Sequence, residues 1–244
     1  MNNDIILLIG ASSDLGLDLI KNIENDSLII AHYNSCDKNI LELAKSLNKK
    51  IITIKADLSN DEEVNNLLNE IESKYGTPNK IVNFAASKFS TLRFKDISWS
   101  DFEKDINISL KAFVNILNKF IPKLIKEKKE GNIVVVLSSV TLNVPPKNLV
   151  HYTTVKYALL GLVKSLASEY ADKNININAV SPSMIETKFL SDINEKLVEL
   201  SAYNNPKKRN ANVNDVTPII KLLLSKDSNY ITGANIPISG GAIF

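Results

Sequence analysis

Tyrosine and lysine side chains stand four residues apart in the segment YTTVK, at Tyr152 and Lys156. Residues at i and i+4 share one helix face, so both side chains would point into the same space. The spacing alone carries little information, because the chain has 7 tyrosines and 29 basic residues and repeats the spacing at Tyr203 and Lys207. Pro206 opposes a helix across that second pair. The segment around the first pair has helical apolar spacing and no proline, so the first pair is the candidate for chemistry.

A phenol and an ammonium group on one helix face suit proton transfer to or from an oxygen atom. Free tyrosine has a pKa of about 10, which makes it a poor acid or base at neutral pH. A neighbouring ammonium favours the phenolate and lowers that pKa. The pair therefore indicates a general acid or base acting on a carbonyl or hydroxyl oxygen.

Two serines precede the pair at the end of an apolar run. The segment NIVVVLSS, residues 132–139, is typical of a strand and ends in Ser138 and Ser139. Ligands of open α/β sheets bind beyond the carboxyl ends of the strands, which is where these hydroxyls would stand. A hydroxyl there can hydrogen-bond a substrate oxygen as negative charge builds on it.

Short apolar runs alternate with longer amphipathic segments along the whole chain. The runs are rich in Ile and Val and uninterrupted, which is typical of strands buried on both faces of a parallel sheet. They cover residues 4–10, 27–33, 50–57, 80–86, 132–139 and 174–182. Helical segments lie near residues 14–25, 37–48, 60–75, 101–129, 151–172 and 212–226. The alternation predicts one α/β domain over residues 1–244, a doubly wound parallel sheet flanked by helices on both faces.

The composition of the chain limits the classes of function. A balance of 29 basic against 27 acidic residues gives no electrostatic reason to expect nucleic acid or an anionic membrane as partner. Cys36 is the single cysteine and there are two histidines, so we expect no internal disulfide and no metal site. No apolar run approaches the roughly 18 residues of a membrane span, and the first residues lack the pattern of a signal peptide. We therefore expect a soluble cytoplasmic protein.

The first strand opens into the segment GASSDLG, residues 10–16. Glycines at Gly10 and Gly16 would let the backbone approach a phosphate, and the helix that follows supplies N–H donors. The alternative is an ordinary strand-to-helix turn capped by Ser12 or Ser13. Asp14 stands where a third glycine is usual. If its carboxylate faced the pyrophosphate, it would repel that group. Because Gly10 and Gly16 remain, we expect it instead to start the helix and point outward, where its charge meets the positive end of the helix dipole.

These segments fall in one order with several others. The set GASSDLG, ADL (56–58), NFAA (83–86), INI (106–108), LSS (137–139), YTTVK, SPSMIET (181–187) and ITGANIPISGG (231–241) resembles the short-chain dehydrogenase/reductase family over nearly the entire chain. The resemblance implies a Rossmann-like fold and an NAD(P)(H)-dependent oxidoreductase that interconverts a carbonyl and a secondary alcohol. It favours reductases of 3-oxoacyl thioesters on acyl carrier protein, with a sugar or polyol dehydrogenase as the rival. A catalytically silent nucleotide-binding regulator is the alternative from another class.

The resemblance also implies the catalytic roles. Tyr152 would be general acid in reduction and general base in oxidation, with Lys156 lowering its pKa and bonding the nicotinamide ribose. Ser139 would hydrogen-bond the substrate oxygen, and it is preferred to Ser138 because the family pattern places this serine 13 residues before the tyrosine. Asn107 would position a water that links the lysine to solvent.

A nicotinamide cofactor is implied along with these roles. Its pyrophosphate would lie at the first turn, its adenosine at the ends of later strands, and its carboxamide beside residues 182–187. The implied cofactor-binding residues are Gly10, Ser12, Ser13, Leu15, Gly16, Tyr33, Asn34, Asp57, Leu58, Asn83, Ala85, Tyr152, Lys156, Pro182, Ile185 and Thr187. Structural alternatives exist for three of them, with Asp57 or Thr187 as a helix cap and Asn83 as a strand-end residue.

The end of the second strand bears on the choice of cofactor. A carboxylate there would bind the ribose 2′-hydroxyl and repel a 2′-phosphate, but Tyr33 stands at that position. Asn34 replaces the arginine that often binds the phosphate. The remaining candidates for that contact are His32, Ser35 and Lys38. This favours NADP(H) over NAD(H), although Asp37 lies only a small register shift away.

Loops over residues 87–99, 140–150 and 183–210 would shape the pocket for a small-molecule or carrier-bound carbonyl substrate. The amphipathic pattern of residues 184–203 predicts a lid helix within the last of these loops. Ala86 and Ser183 replace family glycines and would narrow the cofactor cleft. The resemblance further implies a homotetramer, or at least a homodimer, formed through helices 101–129 and 151–172.

Overall fold

The computed structural model describes residues 4–24, 26–191 and 193–243. Seven parallel strands form one sheet in the order β3-β2-β1-β4-β5-β6-β7. The strands are β1 Ile5–Ile9, β2 Leu28–Tyr33, β3 Ile51–Lys55, β4 Lys80–Asn83, β5 Gly131–Val136, β6 Ile175–Pro182 and β7 Asn235–Ile238. The predicted doubly wound parallel sheet is confirmed.

Eight α-helices connect or flank these strands in the described ranges. They are α1 Asp14–Asn22, α2 Lys38–Leu47, α3 Asp61–Tyr75, α4 Trp99–Asp105, α5 Ala112–Lys126, α6 Val150–Tyr170, α7 Glu195–Asn204 and α8 Val213–Leu223. Among these helices, none combines the length and the hydropathy that crossing a membrane requires.

Two of the predicted helices are interrupted. The expected helix over residues 101–129 contains a π-helix, Ile106–Lys111, between α4 and α5. The expected lid helix is also wrong as a single element, because a 3-10 turn at Lys188–Leu190 is separated from α7. The side chain of Asn194 accepts a hydrogen bond from the Lys196 amide and so starts α7 late.

The strands are apolar at consecutive positions because helices cover both faces of the sheet. Leu7 and Ile9 pack into a cluster with α3, α5 and α6, whereas Ile6 and Leu8 pack into a second cluster with α1, α2 and α8. Because side chains of a strand alternate between faces, a strand buried on both sides needs apolar residues at every position.

The strand order reverses between β1 and β4, which pair with each other at the centre of the sheet. Ligands of such sheets bind in the crevice beyond this reversal. Gly10 follows β1 with φ at +76°, and a Cβ on it would lie 3.1 Å from the Ala85 amide nitrogen beyond β4. Glycine is required there because two backbone turns meet at the crevice.

Gly16 is the second position where a side chain does not fit. A Cβ on it would lie 2.5 Å from the Ala11 carbonyl oxygen. Only glycine therefore lets the first turn of α1 lie so close to the end of β1.

Replacing Gly16 with alanine should destabilise the fold by about 1–3 kcal/mol, because backbone must move to admit the methyl group. Gly161→Ala is the matched control, since Gly161 also lies within a helix and a Cβ there meets no atom within 4 Å. The control should leave stability unchanged or raise it by about 0.5–1 kcal/mol. Urea denaturation measures both changes. Equal effects of the two substitutions would contradict the close packing of the first turn.

Candidate active site

A cavity of about 510 Å³ lies at the carboxyl ends of the central strands. It is bounded by the first turn, the loop after β4, the end of β5, helix α6 and the segment after β6. The residues predicted for catalysis or cofactor binding that line it are Ser12, Ser13, Leu15, Ser139, Tyr152, Lys156, Pro182, Ile185 and Thr187. The structure thus brings the tyrosine–lysine pair together with the predicted pyrophosphate and nicotinamide segments.

The other predicted site residues do not line this cavity. They are Gly10, Gly16, Tyr33, Asn34, Asp57, Leu58, Asn83, Ala85 and Asn107. Gly10 and Gly16 belong to the first turn, where the pyrophosphate was predicted, and the others except Asn107 lie at or just beyond the ends of β2, β3 and β4, where the adenosine half was predicted. The side chain of Leu58 is buried in the core, so only its backbone remains for a ligand.

Helix α6 carries the tyrosine–lysine pair as predicted. The Nζ atom of Lys156 donates a hydrogen bond to the Val136 carbonyl at the end of β5, at 2.8 Å. It also lies 5.5 Å from the centre of the Tyr152 ring. The ammonium therefore faces the aromatic ring and a strand carbonyl, and it is almost completely buried.

The surroundings of this pair determine its protonation. Burial raises the pKa of Tyr152 to about 12; the Ser138 hydroxyl opposes this shift and the charge of Asp105 adds to it. Burial lowers the pKa of Lys156 to about 8, against the charge of Asp105. The expected lowering of the Tyr152 pKa by Lys156 is wrong for this structure, because desolvation dominates. Tyr152 is a neutral phenol at pH 7.

The two serines after β5 differ in their contacts. Ser138 accepts a hydrogen bond from the Val140 amide at 3.4 Å and interacts with the Tyr152 phenol. Ser139 lines the same cavity at the start of a short 3-10 turn. The contact with the tyrosine thus belongs to Ser138, while the substrate-binding role expected for Ser139 stays a prediction.

The π-helix places Asn107 in an unusual backbone setting. The Ala112 amide donates to the Asn107 carbonyl, a bond over five residues in place of four. Segments of this kind occur frequently at functional sites. Apolar periodicity gave no signal for the insertion.

Asp105 is a residue that sequence reasoning missed. It is buried at the end of α4, and it accepts a hydrogen bond from the Ser87 hydroxyl. One of its oxygens lies 3.8 Å from Nε2 of His151, which in turn contacts the Ser90 hydroxyl at 3.1 Å. The sequence offered little signal for it, because Asp105 is one of several charged residues in DFEKD, immediately before INI.

The first turn is organised as a helix start. The Ser13 side chain accepts a hydrogen bond from the Gly16 amide at 3.1 Å, so Ser13 and not Ser12 is the cap. Asp14 begins α1 as expected, but its carboxylate does not point outward. It accepts a hydrogen bond from the Lys188 amide at 2.7 Å and so joins the first turn to the segment after β6.

The purely structural roles considered for Asp57, Asn83 and Thr187 have different outcomes. Asp57 is not the cap of α3, because Asn60 performs that role, and Asp57 instead accepts hydrogen bonds from the amide and hydroxyl of Ser59. Those bonds lower the pKa of Asp57. Asn83 does have a strand-end role, since its side-chain oxygen accepts from the Ala85 amide at 3.0 Å. Thr187 precedes the 3-10 turn without a side-chain capping bond.

The end of β2 differs from expectation in two respects. His32 is buried with both ring nitrogens engaged, so it is not available to a 2′-phosphate. The hydroxyl of Tyr33 interacts with the Asp37 carboxylate; burial is the largest cause of the raised pKa of Tyr33, and Asp37 adds to it. A carboxylate therefore does lie near the end of this strand.

The residues present fit a dinucleotide. The glycine positions let backbone approach a phosphate closely, and the start of α1 offers amide donors and a positive dipole end. Lys156 and Tyr152 lie in the same cavity as the segment predicted for the carboxamide. Ala86 and Ser183 line the cavity, so their small side chains take space that glycines would leave open.

Comparison with known proteins identifies the chain. A sequence model of the family described as Enoyl-(Acyl carrier protein) reductase matches residues 23–242. The chain belongs to the short-chain dehydrogenase/reductase family. It is an oxidoreductase of the class that interconverts carbonyl and alcohol groups, which argues against the silent regulator.

Relatives and solved structures span the whole chain. The 3-oxoacyl-[acyl-carrier-protein] reductase of Buchnera aphidicola is 26% identical over 97% of this chain and 96% of its own. That of Thermotoga maritima is 27% identical over 100% and 99%. A 4-hydroxyisoleucine dehydrogenase complexed with NADH is 28% identical with a TM-score of 0.89, and ElxO with NADP bound is 28% identical with a TM-score of 0.85. Each covers 98% of both chains.

Proposed function

We propose that this short-chain dehydrogenase/reductase reduces the carbonyl group of an apolar substrate to a secondary alcohol. The observation that carries the proposal is the shared cavity. A neutral Tyr152 and a buried Lys156 line it together with residues of the first turn, between β1 and α1. A bound nicotinamide cofactor would supply the hydride. The proton would come from the protein.

Tyr152 is the proton donor in this proposal. As hydride reaches the carbonyl carbon, negative charge builds on the oxygen, and the phenol gives its proton to that oxygen. The Lys156 ammonium stabilises the phenolate left behind. Ser139 hydrogen-bonds the carbonyl oxygen, and Asn107 in the π-helix holds the water through which the proton is replaced.

The apolar wall of the cavity supports an apolar substrate over a sugar or polyol. Phe89 packs edge-on against Tyr152 at 5.4 Å and against Phe189 at 5.6 Å between ring centres. Further apolar residues around the cavity are Val140, Pro146, Leu149, Met184, Leu190 and Ile193. We propose a 3-oxoacyl thioester or a related hydrophobic ketone, which is consistent with the names of the Buchnera and Thermotoga relatives.

Residues 183–210 form the lid segment in this proposal. The segment contributes Phe189 to the apolar wall and is held to the first turn by the bond between Asp14 and the Lys188 amide. A lid of this kind would exclude water from the reacting carbonyl.

We also propose a cytoplasmic homotetramer or homodimer. Trp99 on α4 is 72% exposed and Tyr157 on α6 is 45% exposed, and these helices contact each other. Exposed large aromatic side chains on neighbouring helices suit contact with a second copy of the chain. Light scattering on the purified protein decides this point, and a monomer at micromolar concentration would refute it.

Tyr152→Phe should lower kcat for reduction of a ketone by about 10²–10⁴-fold, because the proton donor is removed. The dissociation constant for the reduced cofactor should stay unchanged. Loss of absorbance at the nicotinamide band follows turnover, and cofactor fluorescence follows binding. Full activity in this variant would end the proposal.

Ser138→Ala and Ser139→Ala form a matched pair in the same assay. The Ser139 variant should lose the larger part of kcat, because its hydroxyl contacts the substrate oxygen. A larger loss in the Ser138 variant would transfer that role to Ser138.

The protonation states of Tyr152 and Lys156 predict that the rates of carbonyl reduction and of alcohol oxidation change with pH in opposite directions. Reduction needs the neutral phenol and the ammonium, so its rate should hold near pH 7 and fall above about 8 as Lys156 loses its proton. Oxidation needs the phenolate and should rise with pH, because the raised pKa of Tyr152 leaves little of it at neutral pH. Steady-state rates across this range measure both. Oxidation with an optimum at neutral pH would contradict the assignment.

NADP(H) is the proposed cofactor. Ser35 and Lys38 are exposed beyond β2 and suit a 2′-phosphate, whereas Asp37 opposes one but is engaged by Tyr33. Known structures of similar chains contain either form, with NADP in ElxO and NADH in the hydroxyisoleucine enzyme.

Fluorescence titration should show tighter binding of NADPH than of NADH. Asp37→Asn should increase that preference, because it removes a charge that repels the phosphate. Lys38→Ala should reduce it. If the wild type instead binds NADH more tightly and Asp37→Asn loses that preference, then Asp37 binds the ribose hydroxyls.

A further inference from the structure

His32 has a defined chemical state in this structure. Its side chain is 2% exposed near the end of β2. The Gly10 amide donates to Nδ1 at 3.1 Å, and Nε2 lies 3.0 Å from the Ala56 carbonyl oxygen. An amide N–H can only donate and a carbonyl oxygen can only accept. The ring is therefore neutral, with its proton on Nε2.

These two bonds join three neighbouring strands at the cofactor edge. Gly10 follows β1, His32 belongs to β2, and Ala56 follows β3. The backbone contributes parallel bonds there, from the Ala11 amide to the His32 carbonyl and from the Ala56 amide to the Tyr33 carbonyl. The ring thus ties together the turns that leave the sheet towards the cofactor edge.

We propose that His32 is a positioning residue, whose neutral ring fixes the Gly10 turn and the Ala56–Asp57 segment in the geometry that receives a dinucleotide. The identity of that ligand rests on the proposed function. The link between the strand ends, which we call the tie, is shown by the two hydrogen bonds of the ring and by its burial. His32 touches no reacting atom and acts through the backbone it holds.

Protonation of the ring would break this tie. A proton on Nδ1 would face the Gly10 N–H, so two hydrogen-bond donors would point at each other and the bond from Gly10 would be lost. Burial lowers the pKa of His32, while the Ala56 carbonyl and the charge of Asp57 oppose that shift. Because the folded pKa lies below the ordinary value near 6.5, the unfolded chain takes up the proton first. The stability that the tie contributes is therefore full above pH 6.5 and is lost as the pH falls below it.

The tautomer can be observed directly in the full chain. The sequence has two histidines, so a ¹⁵N-histidine spectrum contains two rings, and the His32→Leu variant assigns the signal of His32. At pH 7 we expect a bare Nδ1 and a protonated Nε2, and we expect the ring to stay neutral at pH 6.5. A proton on Nδ1 at pH 7, or a charged ring at pH 6.5, would overturn the proposal.

Binding of NADPH tests the consequence for the cofactor site. His32→Leu removes both ring contacts and should weaken binding by about 10-fold, equivalent to roughly 1.4 kcal/mol. His32→Asn keeps an acceptor near the position of Nδ1 and should recover part of the loss. The affinity of the wild type should also fall over the pH range in which the spectrum shows the His32 ring taking up a proton, whereas that of His32→Asn should not, because it has no ring to protonate. Wild-type affinity in both variants would refute the positioning role.

These outcomes are distinguishable from failure of the proposed reaction. The spectrum requires neither cofactor nor turnover, and the titration requires no carbonyl substrate. If the wild type reduces no ketone but binds NADPH, the proposed reaction fails and His32 is still tested. If it binds neither NADPH nor NADH, the positioning role fails together with the proposed function, and the spectrum then decides only the tie between the strands.

Discussion

The buried ammonium of Lys156 is the constraint on which the rest of the site depends. Taking a charge out of water is costly unless it gains partners, and here the Val136 carbonyl and the charge of Asp105 compensate in part. The same burial keeps Tyr152 neutral. In the proposed reaction, this desolvated corner of the cavity supplies both the proton donor and the cation that stabilises the phenolate, which suits reduction more than oxidation.

The sheet makes this corner possible by bringing distant segments to one edge. Reversal of the strand order between β1 and β4 opens the crevice, and glycines at Gly10 and Gly16 let backbone turns meet there without a side chain between them. His32 contacts the backbone beyond β1 and β3 on the side proposed for the adenosine, and Asp14 joins the first turn to the segment proposed as a lid. The site is therefore fixed by backbone contacts as much as by catalytic side chains.

The sequence was sufficient for features that repeat locally. Apolar runs located the strands, and the i to i+4 spacing placed Tyr152 and Lys156 on one helix face. It was insufficient where remote segments meet: Asp14 and Lys188 are 174 positions apart, and nothing near either one predicts their bond. The π-helix at Asn107 spans only six residues between two helical segments, too few for the apolar pattern to reveal it. The pKa of Tyr152 was expected to fall because the nearby cation was visible in sequence and the burial was not.

The ionisation of Tyr152 shows whether burial or the neighbouring cation controls the site. A spectrum of protein labelled with ¹³C at the tyrosine ζ carbon, assigned with Tyr152→Phe, reports the phenol and the phenolate separately. Because burial dominates, Tyr152 should keep the signal of a neutral phenol well above pH 8. A transition to phenolate near pH 7 would show that the cation outweighs desolvation, and the assignment of Tyr152 as a burial-protected proton donor would be wrong.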